Sequence, residues 1–282
     1  MHFHLPFGVQ DILWTLAFAA QLVLLVVLMG RERIARFPWF TAAAVMLGLR
    51  LLSAKLLSGR LPQLTMAAVF IVMAEISALI GLLVVLEIAR RAFGAVRRTT
   101  WVIWALVLLA VGAVVLRFWG PWPAWKTLTA HSNVATLQLL QLMAQKTSLF
   151  VDVENIAVGL LIVLFGRRYG AGWRSHTQQI AIGLSASSLA QLTIGAVWER
   201  IAHTAVVQTM DDQQRILGIR DKLFNANSAM YILVVLWWIV WLWRDEPGHA
   251  PAALDQTNGQ GETVIEVDRS AESPEMKSQL DG

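Results

Sequence analysis

Three carboxylates are the residues of this 282-residue chain best suited to chemistry, because each of them interrupts a long apolar run. Glu75 lies within residues 64–89, and Asp152 and Glu154 lie within residues 148–165. An ionisable side chain at membrane depth is costly, and it usually marks a ligand site, an ion pathway or a proton relay. These carboxylates are therefore the first candidates for a functional site.

The spacing of the polar residues around Asp152 predicts which of them face the same way. On a helix Asp152 and Asn155 share one face, whereas Glu154 is turned by about 200° from Asp152. We therefore expect Asp152 and Asn155 to face the interior of the protein. Glu154 is expected to meet Arg117 or Lys146 nearer the outer surface. Structural pairing between helices is the alternative interpretation of these residues.

A second pair of charges is predicted between neighbouring apolar runs. Arg50 lies near the middle of the second run and Glu75 near the middle of the third, with an axial offset of roughly 7 Å. Pairing lowers the cost of burying each charge, so we expect a Glu75–Arg50 pair that faces the interior. This pair is either a structural clamp or part of a substrate or proton site.

Gln191 in the sixth apolar run also needs hydrogen-bond partners, because a buried amide without them is costly. Together the interior polar residues form a candidate ligand or ion cavity. Its members are Arg50, Glu75, Asp152, Asn155 and Gln191.

Glu87 lies near the end of the third apolar run, three and four residues before Arg90 and Arg91. Residues at these spacings are neighbours on a helix surface and form local ion pairs. We interpret Glu87, Arg90 and Arg91 as a structural ion pair.

The composition indicates the solvent around these runs. Hydrophobic residues make up 56% of the chain and charged residues only 15%, whereas soluble domains carry roughly 25% charged residues. A soluble core of this size cannot hide so much apolar surface, so a lipid bilayer is the expected environment. The basic residues lie at the ends of the runs, where membrane topology explains them and nucleic-acid binding is not required.

A bilayer core about 30 Å thick needs roughly 20 helical residues per crossing. The sequence predicts an all-α polytopic bundle of about seven transmembrane helices in residues 1–243. The predicted spans are 10–30, 38–58, 64–89, 101–119, 148–165, 178–198 and 229–243. Residues 134–147 are expected to extend the fifth span or to form an interfacial helix, and residues 200–227 a long outer loop. Residues 244–282 are predicted to be a disordered acidic cytoplasmic tail.

Lysine and arginine set the expected orientation, because they concentrate in cytoplasmic loops. One side carries eleven of them, namely Arg31, Arg33, Arg36, Arg90, Arg91, Arg97, Arg98, Arg167, Arg168, Arg174 and Arg244. The other side carries seven, namely Lys55, Arg60, Lys126, Arg200, Arg215, Arg220 and Lys222. We therefore predict an N-terminus outside the cell and a C-terminus in the cytoplasm.

The chain lacks residues that several classes of cofactor require. There is no cysteine, which excludes disulfides, thiolate metal sites and cysteine nucleophiles. None of the histidines lies in the middle of a run, which argues against intramembrane zinc and paired-histidine haem. The layout resembles retinal-binding seven-helix proteins in helix count and topology only, because residues 229–243 contain no lysine for a Schiff base. We expect no cofactor and no metal.

These observations favour a non-enzymatic receptor or sensor that binds a small ligand in a polar intramembrane cavity and contacts a cytoplasmic protein partner. The first alternative is a proton- or ion-coupled carrier of small molecules that uses Glu75 and Asp152. The second alternative is a membrane-embedded enzyme or an assembly subunit. The expected location is the cell membrane, and a bacterial inner membrane is compatible with the sequence.

Overall fold

The computed structural model describes residues 8–57, 60–93, 98–118, 122, 133–165, 175–205 and 209–245, with the backbone alone for 98–105, 133 and 134. Eight helices and no strands make up this part of the chain. They are α1 (Val9–Gly30), α2 (Arg33–Arg36), α3 (Pro38–Leu56), α4 (Gln63–Ala92), α5 (Arg98–Phe118), α6 (Asn133–Phe165), α7 (His176–Thr204) and α8 (Met210–Trp243). The predicted all-α class is confirmed.

Six of these helices, α1, α3, α4, α6, α7 and α8, are long and apolar enough to cross a membrane. The chain is therefore an integral membrane protein with a polytopic helix bundle. The remaining predicted span coincides with α5, whose described apolar stretch is the shorter segment Leu106–Phe118. Seven crossings and their orientation stay predictions.

Most of the helices are arranged as a ring. Around it each helix contacts the next in the order α1, α3, α4, α6, α7 and α8, and α8 packs back against α1. Helix α4 also contacts α7 across this ring, whereas α5 lies outside it with α6 as its principal contact. Helix α6 therefore has one side against the peripheral α5 and another against α7 in the ring.

The two ends of the ring are packed differently. We call the end where α1 stops at Gly30 and α3 starts at Pro38 the closed end, and the opposite end the open end. Large buried side chains concentrate towards the closed end, among them Leu24, Leu28, Phe37, Phe40, Ile88, Ile162, Ile180 and Leu242. Towards the open end no residue is buried in 49–57, 63–77, 189–204 or 210–233. The hydrophobic core thus occupies one end of the bundle.

Charged pairs lie at both ends of the bundle. At the open end Lys55 Nζ lies 2.7 Å from Asp11 Oδ1. At the closed end Arg31 Nη1 lies 3.4 Å from Asp245 Oδ1, and the Arg31 guanidinium lies over the Trp243 ring. Charged and tryptophan side chains at helix ends are typical of the lipid headgroup region.

The predicted long loop over residues 200–227 is wrong. Helix α7 continues to Thr204 and α8 begins at Met210, where the Thr209 and Asp212 side chains form a capping box. Helix α8 has 34 residues and is thus about 51 Å long, which exceeds a hydrocarbon core of about 30 Å. The first half of α8 is less hydrophobic than the second half because it contains charged residues. Such residues are favourable where a helix extends beyond the lipid.

Residues 134–147 are likewise continuous with the fifth predicted span in α6. The acidic tail, apart from Arg244 and Asp245, lies outside the described residues. The same is true of several basic residues used for the orientation, namely Arg97, Lys126, Arg167, Arg168 and Arg174.

Candidate functional site

One group of interior polar side chains lies between α6 and α7. We call it the polar seam, and it consists of Asp152 and Asn155 on α6 and Ser185 and Ser188 on α7. Asn155 Nδ2 donates to Ser188 Oγ over 3.2 Å, and Ser188 is also hydrogen-bonded to the Asp152 carboxyl. Asp152, Asn155 and Ser188 are all buried. One carboxyl, one amide and a bridging hydroxyl therefore form a connected chain near the middle of both helices.

The two helices can approach closely at the seam because residue 159 is a glycine. A Cβ atom at Gly159 would lie only 1.7 Å from Ser185 Oγ. In the space thus left, the Ser185 hydroxyl lies 2.7 Å from the Asn155 carbonyl oxygen and 2.8 Å from the Ala181 carbonyl oxygen. A hydroxyl has one proton to donate, so it can alternate between an acceptor on the neighbouring helix and one on its own.

A second polar cluster joins α1, α3 and α8. Gln21 Nε2 donates to the Ala44 carbonyl oxygen over 2.6 Å, and the Tyr231 hydroxyl donates to Gln21 Oε1. Sequence reasoning did not single out Gln21 or Tyr231. The available signal was a lone amide in the middle of the first apolar run, which needs partners wherever it is buried.

Glu154 faces away from the polar seam, as the helical spacing predicts. Its side chain packs against α5, where a Cβ atom at Gly112 would lie 2.5 Å from Glu154 Oε1 and 2.5 Å from Phe150 Cε2. Only 3% of Glu154 is exposed, and within the described part of the chain its Oε1 atom has no hydrogen-bond partner. The predicted pairing with Arg117 or Lys146 is not formed, because the carboxyl is directed into the α5–α6 interface.

Glu87 joins α4 to the first turn of α3. Its Oε2 atom accepts a hydrogen bond from the Phe40 backbone N–H over 3.1 Å, and Arg91 Nη2 lies 3.5 Å from Glu87 Oε1. The Arg91 guanidinium lies over the ring of Phe37, which is the N-cap residue of α3. The first N–H groups of a helix lack intrahelical partners, and here a neighbouring helix supplies one. Arg90 is exposed beside this group.

The other predicted cavity residues lie apart from the seam. Arg50 is exposed, because the buried face of α3 carries Phe40, Thr41, Ala44 and Gly48 on the opposite side of the helix. Glu75 is half-buried on α4, and no ion pair joins it to Arg50. Gln191 is exposed, one helical turn beyond Ser188 towards the open end.

Within the described ranges no group of three or more His, Asp or Glu side chains is placed to hold a metal ion. The chain matches no protein family, no curated protein and no solved structure. The geometry of the polar seam and of the two ends is therefore the basis for inferring a function.

Proposed function

We propose that this membrane protein is a receptor or sensor for a small polar ligand, which binds at the polar seam. A carboxyl, an amide and hydroxyls converge there near the middle of α6 and α7. Few groups of this kind are found in an apolar bundle, and those that do occur commonly serve function. The Asp152 carboxyl accepts hydrogen bonds, so it suits a ligand that carries an amine or several N–H or O–H donors.

The packing difference between the two ends supports entry of this ligand from the open end. Side chains of α7 and α8 beyond the seam in that direction are exposed or half-buried, including Gln191. Towards the closed end the same helices are packed around Ile180, Val235 and Leu242, which are all fully buried. This difference in packing favours entry of a ligand from the open end.

The closed end favours a receptor over a carrier. A carrier must open towards both sides of the membrane, and opening the closed end would expose Phe37 and Phe40 and break the Glu87 contact with α3. A receptor needs only to transmit a change in packing to that end. If the protein lies in a plasma membrane with this end in the cytoplasm, exposed basic residues there such as Arg90 would face a protein partner.

The alternative is a proton- or ion-coupled carrier. The observation in its favour is that α6 carries two buried carboxyls near its middle, Asp152 facing α7 and Glu154 facing α5. Coupled carriers need such groups to bind and release a cation or proton. Flux of a stabilising ligand into proteoliposomes would decide for the carrier, and binding without flux for the receptor.

The test is ligand stabilisation of the purified full chain in lipid nanodiscs, screened with small amines, amino acids and polyols. A ligand at about 100 times its Kd stabilises the folded state by about 2.7 kcal/mol. We expect Asp152→Asn and Ser188→Ala to abolish this shift. The matched control is Asp11→Asn, which removes an exposed carboxylate paired with Lys55 at the open end. A ligand that stabilises wild type and Asp152→Asn equally would show that the seam is not its site.

A further inference from the structure

The Glu154 carboxyl is a buried acidic group whose Oε1 atom has no hydrogen-bond partner among the described residues. It lies 11 residues before the end of α6 at Phe165, which is about 17 Å along the helix axis and close to the centre of a bilayer core about 30 Å thick. Only 3% of the residue is exposed, and the Oε1 atom accepts no hydrogen bond.

Among the described side chains, no cation is placed to neutralise this carboxyl as an anion. On α5 the described charged residue is Arg117, which is exposed and forms no ion pair with Glu154. On α6 the charged neighbours are Lys146, two turns away with its ammonium over the Trp122 ring, and Asp152, which faces α7. An isolated carboxylate in an apolar interior costs far more than its neutral acid, so such groups take up a proton.

The Glu154 side chain is packed closely against α5. A Cβ atom at Gly112 would lie 2.5 Å from Glu154 Oε1 and 2.5 Å from Phe150 Cε2. The carboxyl oxygen and the aromatic ring thus lie directly against the backbone of α5. A buried water needs two to four polar partners, and no hydrogen-bond partner of Oε1 lies among the described residues.

We propose that Glu154 is a proton-binding site whose occupancy controls the packing of α5 against the ring. In the protonated state the neutral carboxylic acid packs against Gly112. When the O–H bond breaks, the proton passes to water that enters as the helices separate, and the carboxylate moves towards that water. Because α5 has α6 as its principal contact, loss of this contact releases α5 from the bundle.

This site is independent of what binds at the polar seam, since Asp152 and Glu154 lie on opposite sides of α6. A proton gradient or a change in pH would act on the contact between α5 and α6, whereas a ligand would act on the contact between α6 and α7. Failure of ligand binding at the seam therefore leaves the Glu154 proposal standing, and the reverse also holds.

The first test detects the proton by infrared spectroscopy of the full chain in nanodiscs. The wild-type spectrum should contain the carbonyl band of a protonated carboxylic acid at neutral pH, and Glu154→Gln should lose it. Glu199→Gln is the control, because Glu199 lies at the open-end terminus of α7 and its removal should leave this band in place. The variant Asp152→Asn shows how much of this band comes from the Asp152 carboxyl in the polar seam. Identical acid bands in wild type and Glu154→Gln would overturn the proposal.

The second test measures the movement of α5. The chain has no cysteine, so spin labels can be placed at Val114→Cys on α5 and Leu160→Cys on α6, both of which are exposed. As pH rises and the acid band disappears, the distance between the labels should lengthen in wild type and stay constant in Glu154→Gln. The proposal would be overturned by an unchanged distance or by an equal change in both proteins. It would also be overturned by an acid band that persists at every pH at which the protein stays folded.

Discussion

On its α7-facing side α6 presents Asp152 and Asn155, whose polar atoms are bonded across to Ser188. On its α5-facing side it presents Glu154, whose Oε1 atom has no partner. The two carboxyls are two residues apart on one helix, and a glycine lies at each interface. The difference shows that the neighbouring helix, and not the residue type, determines whether a buried carboxyl joins a network or remains isolated.

The largest expected effect comes from closing the space at the α7-facing side. Gly159→Ala should lower stability by about 1–3 kcal/mol, because overpacking displaces neighbours in a close-packed interior. The added Cβ would lie 2.9 Å from Ser185 Cβ, which the backbone holds in place. The measurement is the midpoint of thermal unfolding in nanodiscs.

The control for that substitution is Gly195→Ala on α7, because a Cβ there meets nothing within 4 Å. Alanine is a better helix former than glycine by about 1 kcal/mol, so this variant should unfold at the wild-type temperature or above it. Equal losses in the two variants would mean that the close approach at Gly159 has no special importance.

A smaller effect of opposite sign is expected on the α5-facing side. Glu154→Met keeps an unbranched side chain of similar length and removes an oxygen that lacks a partner. Because an unsatisfied buried polar group costs about 1–3 kcal/mol, the variant should be more stable by about 1 kcal/mol. Chemical or thermal unfolding in nanodiscs at fixed pH provides the measurement, and a loss of stability would contradict the isolation of this carboxyl.

The smallest expected effect is the coupling within the polar seam. A double-mutant cycle with Asn155→Ala and Ser188→Ala should give a coupling free energy of about 0.6 kcal/mol, which is typical of hydrogen bonds between membrane helices. The parallel cycle with Glu154→Ala and Arg117→Ala should give zero, since these two side chains do not meet. A larger coupling in the second cycle would remove the contrast between the two sides of α6.

The sequence predicts the positions of the helices well, because roughly 20 apolar residues are needed for each crossing. It underestimates α8 because Asp211, Asp212 and Arg215 lower the hydropathy of a segment that is helical beyond the lipid. The signal for the true helix start was Thr209 followed three residues later by Asp212, which is the spacing of a capping box.

The helical period also predicts correctly that Asp152 and Glu154 face different sides, since this depends on local geometry alone. It could not predict what each side meets, because the partners Ser188 and Gly112 belong to helices far away in sequence. The expected contact of Arg50 with Glu75 is not formed, because Arg50 lies on an exposed side of α3.

The contact between Glu87 and α3 has a consequence for the synthesis of the protein. The Phe40 N–H obtains its acceptor from a residue 47 positions later in the chain. At roughly 5–20 residues per second, about 2–9 s pass between the emergence of these two residues from the ribosome. During that interval the start of α3 can satisfy its N–H groups only with water or lipid headgroups at the membrane surface. The first turn of α3 therefore reaches its final hydrogen bonding only once α4 lies beside it, and a pause in translation between them would prolong the exposure of that first turn.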